Sequence, residues 1–191
     1  MNKKVKIAIL ASGTGSNAEA IIKYFEQSSN IEVVCVGSNR KIAPVLLKAQ
    51  YLNTSTFYQL SRKNETKEDY DFRLIKKLES FSPDWIILAG YMRLLTSSFL
   101  QHFQYQVINI HPSLLPEFPG AHAYEQAYHA KVSQSGCTIH LVDEGMDTGK
   151  IIAQKIIPLY ENDTLNDFKS RGLKVENEFY PQVLAEFLTN K

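Results

Sequence analysis

Hydrophobic positions follow two rhythms along the first half of the chain. Short continuous apolar runs at Val5–Leu10, 31–36 and 85–89 suit strands buried on both faces. Between them, apolar residues recur every three or four positions, which predicts helices over 17–27, 42–50 and 65–80. A short strand is expected at 54–58, a helix over Ser97–His102 and another strand at 106–110, with Phe81-Ser82-Pro83-Asp84 as a turn. Strands separated by helix-length segments imply an α/β fold: a Rossmann-like, mostly parallel, doubly wound sheet.

The second half changes character. Two strand runs, 137–142 and 151–157, are separated only by Asp143-Glu144-Gly145-Met146-Asp147-Thr148-Gly149-Lys150. That segment is too short for a crossover helix, so an antiparallel addition to the sheet is expected. From Asp163-Thr164 an amphipathic helix runs to the C-terminus, with Leu165, Phe168, Leu173, Phe179, Val183, Leu184, Phe187 and Leu188 as its apolar positions. No linker or repeat interrupts residues 1–191, and a single domain is expected.

Composition narrows the function classes. The 191 residues carry a net charge of +1, without the concentrated basic face that nucleic acid demands. Lys3, Lys4 and Lys6 followed by Ile7-Ala8-Ile9-Leu10-Ala11 superficially resemble a signal peptide, but the apolar run falls short of the roughly 7–15 residues required. No run reaches the roughly 20 residues of a membrane span. Cys35 and Cys137, the two cysteines, lie in apolar runs and read as buried thiols in a reducing compartment. A cytoplasmic protein is expected.

Two places carry candidate chemistry. After the first strand, Ser12-Gly13-Thr14-Gly15-Ser16-Asn17 opens a helix. Glycines allow close backbone approach, the helix N-terminus offers N–H groups to an anion, and Ser16 and Asn17 are suited to donate and to cap. A phosphate fits there, although a tight turn needed only by the fold gives the same letters. The second strand ends in Gly37-Ser38-Asn39-Arg40, without the acidic residue of an NAD site; an arginine there leaves NADP open.

The other place is Val107 to Gly120, reading VINIHPSLLPEFPG. A strand delivers Asn109 and His111 to its carboxyl end, on one face because side chains alternate with period two. Pro112 stops the strand, and the chain stays irregular past Pro116 and Pro119. Histidine moves protons near neutral pH, asparagine can donate to a developing oxyanion, and a carboxylate such as Asp147 would orient the imidazole. The trio suits attack of an amine on an acyl carbon without a covalent enzyme intermediate, Gly-x-Ser-x-Gly being absent. From spacing alone, a histidine near proline is more often a hydrogen-bonded loop residue, and an aspartate before Thr-Gly more often a turn residue. His102, His122, His129 and His140 lack metal-ligand spacings, so no metal site is expected.

These motifs, with Leu88-Ala89-Gly90-Tyr91-Met92-Arg93-Leu94-Leu95 and Asp143-Glu144-Gly145-Met146-Asp147-Thr148-Gly149, resemble the phosphoribosylglycinamide formyltransferase family from about Lys6 to Phe187. The resemblance implies transfer of a formyl group from 10-formyltetrahydrofolate to the amine of glycinamide ribonucleotide. It implies Asn109, His111 and Asp147 as catalytic residues, Gly15, Ser16 and Asn17 on the substrate phosphate, and Glu176 on the nucleotide. Met92, Arg93, Leu94, Leu95, Val142 and Asp143 would line the folate site, with Lys67 near the folate tail; core packing is the plain alternative for Met92 and Leu95, and a solvated helix face for Lys67. Residues 1–105 become a nucleotide- and phosphate-binding half, and 106–191 a catalytic and folate-binding half. The expected partners are small molecules, with no nucleic acid and no membrane, and the protein a monomer or homodimer.

The chain departs from many such relatives at Lys150, where proline is expected, and in ending at Lys191. A formyltetrahydrofolate hydrolase on the same scaffold is expected to carry an extra N-terminal domain, and a methionyl-tRNA formyltransferase a basic C-terminal one. Sugar-nucleotide formyltransferases share Asn-x-His, but the Gly-Ser-Asn loop favours a ribose monophosphate. An NADP-binding reductase, or a nucleotide-binding module without catalysis, leaves Asn109-Ile110-His111-Pro112 unexplained.

Overall fold

β1 (Val5–Leu10) shows why the first apolar run has no polar alternation. Ile7 and Ile9 enter one buried cluster while Ala8 and Leu10 enter another, so both faces of the strand are covered. The computed structural model describes residues 3–189. Its elements continue as α1 (Ser16–Phe25), β2 (Ile31–Ser38), α2 (Pro44–Tyr51), β3 (Thr56–Tyr58), α3 (Lys67–Glu79), β4 (Trp85–Leu88), α4 (Ser97–His102), β5 (Val107–His111), α5 (Ala123–His129), β6 (Gln134–Leu141), β7 (Ile151–Pro158) and α6 (Leu165–Thr189).

The strands form one seven-stranded sheet in the order β3-β2-β1-β4-β5-β6-β7. Pairings from β3 through β5 are parallel, and β5–β6 and β6–β7 are antiparallel. The doubly wound sheet with an antiparallel addition is therefore what the chain builds. α1 and α6 cover one face with Phe25, Phe168, Tyr180 and Leu184; α3 and α4 cover the other with Tyr70, Leu74, Phe99 and Leu100. Cys35 and Cys137 are free and buried, and burial pushes both thiols up to about 12.

Three local details differ from the pattern-based expectation. α5 has no counterpart among the expected elements: at seven residues after a proline-rich stretch it is too short for a periodic signal. Ser16 and Asn17 do not cap α1; Gly15 is the N-cap, in a left-handed conformation (φ 73°), and no side chain bonds to the cap. α6 turns a different stripe inward. Phe168, Gly172, Glu176, Tyr180, Leu184 and Leu188, each four residues apart, are all buried, whereas Leu173 is 41% exposed.

Candidate active site

β5 lies at the seam of the sheet, parallel to β4 on one side and antiparallel to β6 on the other. Its last residues therefore meet two kinds of neighbour. On the β6 side Asn109 stands opposite His140 and His111 opposite Thr138. A register shift between Ile139 and His140 in the β6–β7 pairing marks a bulge beside the site, a feature that re-aims side chains.

The polar groups at this strand end form a connected cluster. His111 Nδ1 lies 3.3 Å from Asp147 Oδ2, and its Nε2 donates to the Phe118 carbonyl at 2.8 Å. Both ring nitrogens face oxygen acceptors. Asp147 Oδ2 also accepts from the Gly120 backbone at 2.7 Å, and Asp147 Oδ1 lies 3.7 Å from His140 Nε2. Asp147 adopts a left-handed backbone (φ 56°), a conformation that aspartate tolerates better than most residues. The turn is tied internally by Asp143 Oδ1, which accepts from Gly145 N at 3.1 Å and Thr148 Oγ1 at 2.7 Å.

His140 joins Asn109 to the rest. It is 2% exposed, and its Nδ1 donates to the Leu141 carbonyl at 2.8 Å. Burial holds its pKa below the usual histidine range, so the ring is neutral and Nε2 presents a lone pair. Asn109 Nδ2 reaches that lone pair at 3.2 Å. One amide hydrogen is thereby engaged and the other remains for a ligand oxygen. Nothing in the spacing of His140 singled it out; only the β5–β6 register brings it here.

The sequence profile of the family described as Formyl transferase matches residues 5–184. The chain belongs to the formyl transferase family. It is 41% identical to the phosphoribosylglycinamide formyltransferase of Bacillus subtilis (strain 168), over 96% of this chain and 94% of that protein. It is 37% identical to the trifunctional purine biosynthetic protein adenosine-3 of Drosophila melanogaster, over 96% of this chain but only 14% of that longer protein. The crystal structure of phosphoribosylglycinamide formyltransferase from Bacillus halodurans superposes with a TM-score of 0.92 at 40% identity, covering 96% of this chain and 95% of that one.

In this formyl transferase the glycine loop follows β1, separated from β5 by β4 in the sheet. Gly15 is required where it stands: its φ is positive, and a Cβ would collide with Val45. Ser16 opens α1, whose first-turn N–H groups lack intrahelical acceptors. Asn17 turns its side chain away from the cap, and its Nδ2 donates to Glu176 Oε2 at 2.8 Å. Glu176 is 4% exposed, and its Oε1 accepts from the Tyr124 hydroxyl at 2.5 Å. Burial raises its pKa, opposed by those two hydrogen bonds and by the nearby His111. Tyr124 was not legible as a site residue, since α5 itself was not.

The segment 92–95 splits in two. Met92 and Leu94 are 71% and 61% exposed, while Leu95 packs against the α3–α4 core. Core packing therefore accounts for Leu95 and not for Met92. The Met92 backbone donates to Ser12 Oγ at 2.8 Å, tying this segment to the glycine loop. Arg93 stacks over Tyr70 with its guanidinium carbon 3.7 Å from the ring centroid and donates to Ser61 Oγ at 2.8 Å. Its Nε is buried without a partner among the described residues. Val142 donates its backbone N–H to the Val107 carbonyl, which fixes the start of the Asp143–Asp147 turn beside β5. Lys67 is exposed in the first turn of α3, three residues before Tyr70, and stands outside the hydrogen-bonded cluster.

Among the described residues no group of three or more His, Cys, Asp or Glu side chains is placed to hold a metal ion. A cavity of about 350 Å³ lined by Ser82, Asp84, His102 and Gln104 opens at the amino-terminal ends of β4 and β5. That is the end of the sheet opposite His111, and ligands of open α/β sheets bind at the carboxyl ends.

Proposed function

We propose that this chain transfers the formyl group of 10-formyltetrahydrofolate to the amine of 5'-phosphoribosylglycinamide in purine biosynthesis. The observation that carries the reading is the Asn109–His140–Asp147–His111 cluster at the end of β5. Its support from outside is the 41% identity to the Bacillus subtilis enzyme over nearly the whole chain.

The chemistry follows from the groups present. The substrate amine attacks the formyl carbon, a C–N bond forms, and the carbonyl electron pair moves onto oxygen. That oxygen takes the free hydrogen of Asn109 Nδ2 and the N–H of His111 now held by the Phe118 carbonyl. Preorganised donors of this kind are each worth about 3–4 kcal/mol where one has been removed elsewhere. Collapse of the tetrahedral species breaks the bond to N10 of the folate, which leaves as the amine after taking a proton. Asp147, 3.3 Å from His111, keeps the imidazolium oriented and helps carry the proton lost by the attacking nitrogen. Asn109 and His111 supply the electrophilic stabilisation, and a metal is not part of the proposal.

The remaining residues bind. Gly15, Ser16 and Asn17 receive the phosphate at the α1 N-terminus, and Glu176 receives the nucleotide. Met92, Arg93, Leu94 and Leu95, with Val142 and Asp143, receive the folate; the exposed Met92 and Leu94 gain cover from a flat ring. Lys67 serves the folate tail. No helix among the described residues is long and apolar enough to cross a membrane, and we place the enzyme in the cytoplasm as a monomer or homodimer acting on small molecules, with no nucleic acid partner.

The test is an absorbance assay of 10-formyltetrahydrofolate deformylation with and without the ribonucleotide. Deformylation that requires the ribonucleotide supports transfer; deformylation in its absence makes the protein a hydrolase.

A further inference from the structure

We infer that Tyr124 is a positioning residue whose hydroxyl, admitted by the missing side chain of Gly172, holds the Glu176 carboxylate in the orientation that receives the nucleotide. The inference rests on the reading above that Glu176 contacts the nucleotide substrate.

Glu176, buried on α6, has one protein donor on each oxygen: Tyr124 on Oε1 and Asn17 Nδ2 on Oε2. A carboxylate oxygen accepts two hydrogen bonds, so each retains one position for a ligand hydroxyl. Asn17 Oδ1, buried beside them, has no partner among the described residues and offers a further acceptor. Two donors from two different helices fix both the rotation and the tilt of the carboxylate; one alone leaves it free to swing.

Gly172 makes the Tyr124 contact possible. It lies one turn before Glu176 on the inward stripe of α6, and a Cβ there would collide with the Tyr124 hydroxyl and ring. Glycine inside a helix costs about 1 kcal/mol relative to alanine. That cost is carried at the position where a methyl group would displace the ring. Phe168, one turn earlier on the same stripe, holds the Tyr124 ring edge-to-face at 5.3 Å.

The protonation of Glu176 gives the inference a signature that packing lacks. Its titratable neighbours are Tyr124 on α5, His111 on β5 and Cys137 on β6. Tyr124 and Cys137 are held neutral by burial, and His111 lowers the Glu176 pKa. Burial raises the Glu176 pKa, and Tyr124 is the first group that opposes it. Without that hydroxyl the carboxyl protonates at higher pH, and one of its two acceptor oxygens becomes a donor.

The experiment is the ribonucleotide KM between roughly pH 6 and 8 for the wild type, Tyr124→Phe, Gly172→Ala and Glu176→Gln. Tyr124→Phe, which keeps the packing against Phe168, should raise this KM roughly threefold to tenfold at neutral pH. The increase should widen as pH falls, with kcat and the folate KM changed less than about twofold. Gly172→Ala, which keeps both polar groups but pushes them apart, should shift KM the same way. If Glu176→Gln raises the KM while Tyr124→Phe leaves both its value and its pH profile unchanged, Tyr124 only packs and the inference fails alone. If Glu176→Gln also has no effect, the reading of Glu176 fails and takes the inference with it.

Discussion

Asn109 and His140 face each other across the β5–β6 pair, with the amide nitrogen 3.2 Å from an imidazole nitrogen that has no proton of its own. The Leu141 carbonyl takes the other ring N–H, so His140 can only accept from Asn109. This fixes the Asn109 amide with Nδ2 toward β6, the end that the proposed mechanism uses as a donor. His140→Ala should therefore lower kcat by between roughly tenfold and a hundredfold, the scale of an ångström-sized misplacement, with both KM values nearly unchanged. Steady-state kinetics with each substrate varied separately decides this.

The same histidine predicts an acid dependence of stability. Its folded pKa is lowered by burial, so the folded protein binds fewer protons there than the unfolded chain. Its contribution is present above the ordinary histidine range and is lost as pH falls through the lowered value. Urea unfolding at pH 7 and pH 5 should show a drop in stability for the wild type that is smaller in His140→Gln.

His111 and Asn109 should be the most sensitive positions to turnover. His111→Ala is expected to cut kcat at least about a hundredfold, and Asn109→Ala by about 10²–10³. Circular dichroism should remain that of the wild type. Near-normal turnover in the His111 variant would remove that residue from the mechanism.

Gly15→Ala tests the phosphate loop. The substituted residue must hold a left-handed conformation, at about 1–2 kcal/mol, and its methyl group must displace Val45. The expected result is a lower melting temperature together with a raised ribonucleotide KM, the folate KM being unaffected.

Tyr180 ties the sheet beneath the site together. Its buried hydroxyl lies 3.1 Å from the carbonyls of both Leu88, the last residue of β4, and Ile108 in the neighbouring β5. Tyr180→Phe should cost about 1 kcal/mol in denaturant unfolding with the slope unchanged.

What was legible in the sequence follows from how local each signal is. β1 announces itself because both of its faces are covered, which removes any alternation from Val5–Leu10. The antiparallel β6–β7 addition is legible from the length of the turn between the strands alone. Asn109 and His111 share a strand face by the period of two, and the turn returns Asp147 to them. His140 is different: its place depends on the register of two strands about thirty residues apart, which leaves no local mark. The inward stripe of α6 escapes periodicity because glycine and glutamate occupy it at 172 and 176, while the apolar Leu173 points outward. The capping role of Asn17 fails for a related reason: Gly15 ends the turn, and the Asn17 amide is drawn to a carboxylate 159 residues away.

The most direct test of the account is to follow the formyl carbon itself. 10-Formyltetrahydrofolate labelled with carbon-13 in the formyl group is mixed with the ribonucleotide and enzyme, and the products are read by NMR. The label should appear as the formamide of the ribonucleotide, and this product should be lost with His111→Ala. Label recovered as free formate, at the same rate with or without the ribonucleotide, would contradict it.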